Sequence, residues 1–178
     1  HIKSEETPFL KHLLKQSNSS KKYQQRWIDA FRNTNQSQKG FLEQIPYSDL
    51  MVFDRIEKLV PENIQLHFAN STPVRYSQFF NFGDQVIIDS NRGVSGIDGS
   101  VSTALGQSLT FPGQTILITG GLSFFYDNNA LWNHYLHPNF KIILINNGGG
   151  GIFRFIDGPL NSGKIDLFET PHNRTAES

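Results

Sequence analysis

Four short stretches of this sequence carry groups able to do more than hold a fold. Asn146-Asn147, followed by four glycines, offers amide oxygens and bare carbonyls. These are hard donors, suited to Mg²⁺ or Ca²⁺ rather than zinc. The same glycines let backbone approach a phosphate, or simply make a turn. Gly120-Gly121-Leu122-Ser123 reads as a turn into a helix, whose leading N–H groups can receive an anion such as a diphosphate; a plain strand-to-helix turn fits equally. The run Ser90-Asn91-Arg92-Gly93-Val94-Ser95-Gly96-Ile97-Asp98-Gly99 spaces its glycines by threes, which is not the G-x-G-x-x-G dinucleotide fingerprint. With its arginine it shapes a pocket and offers a fork to a carboxylate, unless Arg92 is merely solvated. Ser71 and Arg75 stand four apart at the start of an expected helix, so both can face one pocket.

Other patterns fall short. Residues 158–165 nearly spell a phosphate-binding loop, but Ile165 stands where Ser or Thr would hold Mg²⁺. His134 and His137 share an expected helix face without a third ligand and read as surface or packing residues. No G-x-S-x-G elbow or H-E-x-x-H pair occurs. There is no cysteine, which removes disulfides, thiolate metal sites and Cys nucleophiles. Sixteen basic residues balance sixteen acidic ones, so neither nucleic acid nor an anionic membrane is an expected partner. No apolar run approaches the roughly 20 residues that cross a bilayer. The charged start HIKSEETPFLKHL lacks a signal peptide's apolar segment, and a cytoplasmic location is expected. A beginning at His1 and a polar end after the apolar patch 165–168 read as a piece of a longer polypeptide.

The elements that must position these groups follow from pattern. Residues 1–45 are polar, with two apolar stripes (Phe9, Leu10, Leu13, Leu14; then Tyr23, Trp27, Ile28, Ala30, Phe31) that fit amphipathic helices split by the serine-rich 17–20. Residues 33–40 read as a linker, and the whole as a helical connector from a preceding domain. From 46 to 178 the composition changes. Ser48 or Asp49 caps a helix carrying Leu50, Phe53, Ile56, Leu59 and Val60, and Pro61 follows its end. Strands are expected over 64–69, 86–89, 116–119 and 140–145, and helices over 73–80, 99–109 and 124–136, the last capped by Ser123 and ended by His137-Pro138. Alternating strands and helices predict an α/β fold with a parallel sheet and flanking helices. The loops 70–75, 90–98, 120–123 and 146–151 then share the carboxyl edge, where ligands bind in open α/β sheets.

Paired this way, the glycine turn before a helix and the double asparagine ending the next strand resemble the bipartite thiamin-diphosphate motif. More specifically, ANSTPVRY, SNRGVSGIDG, GGLSFFYDNNAL and INNGGGGIF together look like the 2-succinyl-5-enolpyruvyl-6-hydroxy-3-cyclohexene-1-carboxylate synthase family of menaquinone biosynthesis. The resemblance spans about residues 46–178 and implies a thiamin-diphosphate-binding domain, incomplete at its C-terminus. It implies that Asn147 gives Mg²⁺ a side-chain oxygen and Gly149 a carbonyl. Gly96, Ile97, Gly120, Leu122, Ser123, Ile152 and Phe153 would contact the cofactor, Ile97 as the wedge that bends it. Ser71, Arg75 and Arg92 would bind substrate, and Arg75, Arg92 and Ile97 would have catalytic roles. The implied carboligase, a transferase, decarboxylates 2-oxoglutarate and adds the resulting unit to isochorismate.

Two departures accompany the resemblance. The family's metal-binding Asp falls at Gly121, so an anionic ligand to Mg²⁺ is missing; Asp127, about a helical turn away, is not a substitute. The family's catalytic Glu lies in an N-terminal domain outside this chain, and its sites form between subunits of a homodimer or homotetramer. The isolated piece is therefore expected to be inactive. Two further readings stay open at this point: a non-catalytic binding module of the same fold, and another thiamin-diphosphate-dependent decarboxylase or carboligase.

Overall fold

A computed structural model describes residues 5–16 and 21–177. The chain divides into two compact units, with the boundary at Pro46 and Tyr47. The first holds α1 (Glu6–Gln16) and α2 (Lys21–Leu42). Both expected stripes fall on helices; the break at 17–20 lies outside the described residues. Residues 33–40 are not a linker, because α2 runs through them. They contain no proline, and the lone Gly40 costs only about 1 kcal/mol against a helix already propagating. The stripe on α2 is exposed, with Tyr23 edge-on to Trp27 at 6.3 Å.

The second unit contains α3 (Asp49–Leu59), β1 (Gln65–Phe68), α4 (Thr72–Ser77), β2 (Ile87–Asp89), α5 (Ser100–Thr110), β3 (Thr115–Gly120), α6 (Gly121–Asp127), β4 (Phe140–Ile145) and α7 (Ile165–Glu169). Its four strands are parallel, in the order β2-β1-β3-β4. The period of two along each strand sorts the core into two faces. Leu66 and Phe68 of β1 and Ile116 and Ile118 of β3 pack with Phe53 and Ile56 of α3 and Val74 of α4. Leu117 of β3 points the other way, to Val101 and Ala104 of α5 and Phe124 of α6. A sheet covered on both faces explains why β3 reads as a nearly unbroken apolar run. Phe53 is central, within 6.3 Å of the rings of Phe68, Tyr76 and Phe80.

Helix ends show what local sequence settles. Ser48 caps α3 as expected, accepting from the Met51 N–H. The helix expected over 124–136 is shorter and earlier: α6 starts at Gly121, and one 3₁₀ turn, Asn128–Leu131, follows it. Ser123 is not its cap, since its hydroxyl donates to the Ile97 carbonyl at 2.7 Å. His134 and His137 therefore share no helix face; His137 Nδ1 lies 2.7 Å from Asn139 Oδ1. Gly99, in the left-handed region at φ +80°, brings no side chain to the start of α5. Asp127 supplies the cap from α6, accepting from the Ser102 N–H at 2.7 Å and from its hydroxyl.

Candidate ligand-binding site

The strand order decides where a ligand can sit. From β1 the chain crosses to β2 on one side, and from β3 to β4 on the other. The loops after β1 and β3 thus part, and a crevice opens between them at the carboxyl edge. Its cavity, about 110 Å³, is lined by Asn70–Pro73 after β1, Gly120–Ser123 after β3, Ile97, Ile145, Asn147 and Gly149–Phe153. A second cavity of about 390 Å³ shares Thr72, Asn147 and Gly149–Gly151 with it and extends to Asp49, Tyr76, Arg154 and Glu169.

On the β1 side, Ser71 holds φ +77° and ψ −135°. This sparsely populated region costs a non-glycine residue on the order of 1–3 kcal/mol, and such strain gathers at binding sites. The exposed guanidinium of Arg75 folds back onto the Ser71 carbonyl at 3.0 Å. Beneath it, Asn70 is 2% exposed. Its amide donates to the carbonyls of Asn91 and Gly96 at 2.7 and 2.6 Å and accepts from Arg92 at 2.8 Å. One buried side chain thus joins the loop after β1 to the loop after β2, and it fixes one guanidinium nitrogen of the exposed Arg92. Ile97 is brought to the crevice through its carbonyl, held by Ser123.

On the β4 side the two asparagines do different work. Asn146 straps the chain, donating to the Arg174 carbonyl at 2.8 Å. Asn147 donates to Asp49 at 2.9 Å, which leaves its Oδ1 as the atom to offer. The glycine turn is clamped by the end of α7 and the segment after it: the Gly150 N–H donates to the Glu169 carbonyl at 2.7 Å, and the His172 N–H to the Gly148 carbonyl at 2.9 Å. A Cβ on Gly149 would come within 2.9 Å of the Glu169 carbonyl oxygen, so only glycine allows this approach. Buried Glu169 is held by both Arg154 Nε and, at 3.0 Å, Nη2. The Arg154 hydrogen bond keeps the Glu169 carboxyl below its usual pKa, against the opposing effect of burial.

The crevice therefore brings together Ser71, Ile97, Gly120, Gly121, Leu122, Ser123, Asn147, Gly149, Ile152 and Phe153. It leaves Arg75, Arg92 and Gly96 outside its lining. Sequence reasoning did not single out Asn70, nor the pairing of Asp49 with Asn147. It also missed the clamp of Arg154, Glu169 and His172, whose members are spread over residues 154–172 with no periodic signal.

The turn does not fit a protein-bound Mg²⁺. Asn147 and Gly149 offer neutral oxygens, Gly121 has no side chain, and Asp127 is engaged in capping α5. Magnesium is ordinarily held through one or two carboxylates. Among the described residues no cluster of three or more His, Cys, Asp or Glu side chains could hold a metal. No helix among them is long and apolar enough to cross a membrane. The apolar lining of Ile97, Leu122, Ile145, Ile152 and Phe153 does fit an organic ligand.

No family model matches the chain. Individual curated proteins do. The chain is 50% identical over 140 residues to a 2-succinyl-5-enolpyruvyl-6-hydroxy-3-cyclohexene-1-carboxylate synthase of Christiangramia forsetii, covering 78% of this chain and 24% of that protein. A protein of the same name from Flavobacterium johnsoniae is 41% identical over 179 residues, 99% of this chain and 32% of the relative. One from Cytophaga hutchinsonii is 42% identical over 169 residues, 90% and 29% respectively. Over most of its length the chain is similar to the 2-succinyl-5-enolpyruvyl-6-hydroxy-3-cyclohexene-1-carboxylate synthases, and it spans about a quarter to a third of theirs.

Proposed function

We propose that the chain is the diphosphate-binding part of a thiamin-diphosphate-dependent synthase of menaquinone biosynthesis, which decarboxylates 2-oxoglutarate and joins the resulting unit to isochorismate. The observation that carries this reading is the crevice between β1 and β3, where the loops after all four strands converge on one space. The similarity supports it. When bound, thiamin diphosphate would supply carbanion chemistry that side chains lack. The chain's own residues would bind and orient it: Ile97, Leu122, Ile152 and Phe153 as an apolar wall, and the backbone of residues 120–123 toward the diphosphate. Arg75 and Arg92, each with one nitrogen tied to the protein, keep others free for the carboxylates of both substrates. The remaining partners in this proposal are an N-terminal domain of the same protein, carrying the catalytic acid, and a second subunit, in the cytoplasm.

Calorimetric titration of the 178-residue chain tests the binding half. Thiamin diphosphate is expected to bind saturably and thiamin much more weakly, with Ile97→Asp lowering the affinity tenfold or more. No binding by either this chain or a full-length protein containing it would overturn the proposal. The chain alone is expected to form no product from 2-oxoglutarate and isochorismate; turnover by it alone would contradict a divided active site. A second reading, a non-catalytic binding module, is favoured by Gly121. Synthase turnover by a full-length protein retaining Gly121 excludes it.

A further inference from the structure

We infer that His172 is built to hold an oxygen-bearing side chain at residue 121, and that glycine there disarms a cation site at the turn after β4. The His172 Nδ1 accepts from the Arg174 N–H at 3.2 Å. A backbone N–H only donates, so the neutral ring carries its proton on Nε2. That Nε2 is buried and has no partner. A Cβ built on Gly121 would lie 3.0 Å from Nε2 and 2.9 Å from Asn146 Oδ1, so both side-chain ends must shift slightly to admit it. A buried donor therefore stands unsatisfied against the one residue that has no side chain to meet it. Contacts elsewhere hold this segment: the His172 N–H donates to the Gly148 carbonyl, Asn146 donates to the Arg174 carbonyl, and the ring stands edge-on to Phe125 at 5.2 Å.

Donor chemistry selects the missing group. An Nε2–H calls for an oxygen acceptor, and a carboxylate at 121 would accept from it through one oxygen. Its second oxygen would join those of Asn147 and Gly149 as the hard, charged set a divalent cation takes. His172 is then a positioning residue, acting on the cation through residue 121. With glycine, Asn147 and Gly149 offer only neutral oxygens, and the neighbouring Asp49 carboxylate is already engaged by the Asn147 amide. The inference rests on the proposed function in one respect: a diphosphate-bearing cofactor is what would bring a divalent cation to this turn.

The test uses the 178-residue chain, Gly121→Asp, and His172→Phe or His172→Gln in both backgrounds, with folding followed by circular dichroism. Without any ligand, ring ¹H–¹⁵N spectra of Gly121→Asp are expected to show a slowly exchanging, downfield-shifted Nε2–H on His172 that the parent chain lacks. If the aspartate variant does not fold, Gly121→Ser should give the same signal; its absence from every folded variant overturns the inference. With inorganic diphosphate present, Mn²⁺ affinity read by electron paramagnetic resonance should rise at least tenfold in Gly121→Asp. His172→Phe should remove most of that gain, and His172→Gln, which keeps a donor, should restore it. An equal gain with and without His172, or a parent chain that binds Mn²⁺ as tightly as Gly121→Asp, overturns it. Should Gly121→Asp show the ring signal and the Mn²⁺ gain yet fail to bind thiamin diphosphate, the cofactor reading falls and this inference stands.

Discussion

Asn70 does with one amide what three surface contacts could not. It is almost fully buried and satisfies two loop carbonyls and a guanidinium, so its removal leaves all three without their partner. Asn70→Ala is expected to cost about 2–4 kcal/mol in urea unfolding, because buried polar groups left unpaired carry their full desolvation penalty. Arg92→Ala, at an exposed position, should cost under about 1 kcal/mol. At this scale the sequence showed which residues had suitable chemistry but not whom they would meet. The amide of Asn147 was legible as a donor of oxygen, yet its partner Asp49 is 98 positions away. No spacing rule reaches that far. His172 was silent for the same reason: its significance lies in an atom facing Gly121 across a fold, not in any neighbour along the chain.

Between elements, the link from α6 to α5 stands out. Helix α5 opens on glycine, and the carboxylate of Asp127 caps it from outside. Asp127→Ala is expected to lower stability by about 1–2 kcal/mol, the loss typical of a missing cap, and to raise amide exchange in the first turn of α5. Asp127→Asn should retain part of this, since an amide oxygen still accepts. This borrowed cap also explains why the extent of α6 was misread. The apolar residues after Ser123 suggested a long helix, but the chain turns at Asn128 just after delivering Asp127 to its neighbour. Strands were easier to read, being apolar and β-branched runs bounded by glycine, asparagine or proline. Helix α2 was misread in the opposite sense, where asparagines and serines that favour turns were overridden by a continuing helix.

For the whole molecule, pH acts through a buried group between sheet and helix. His67 is 1% exposed, its Nδ1 2.9 Å from Gln107 Oε1 on α5 and its Nε2 without a partner. Burial, first of all, lowers its pKa from the ordinary 6.5, against smaller upward pulls from Gln107, Asp89 and Asn91. The unfolded chain therefore takes up a proton that the fold refuses. Stability is full above about pH 6.5 and falls as pH drops from there toward the depressed folded value. Urea midpoints at pH 7.5 and 5.5 should show this decline, and His67→Gln should flatten it. Glu169 acts in a separate, more acidic window: its folded pKa is lowered by Arg154, so its contribution is present above the unfolded 4.5 and lost as pH falls through the folded value. The parallel sheet and the gathering of loops at one edge were legible from alternating elements alone. The burial of a histidine on β1 was not, because IQLHFA reads as an apolar strand whichever way His67 points.

The strand order has one more consequence. The crevice stands over β1 and β3, each hydrogen-bonded on both sides, while β2 and β4 have one neighbour apiece within the sheet. In native-state hydrogen exchange the floor of the pocket is thus expected to be the slowest part of the unit to open, and its edges the first. A ligand seated there has little protection left to add to the floor. Its footprint falls instead on the rims, residues 90–99 and 146–151, while β2 can fray without the pocket losing its shape.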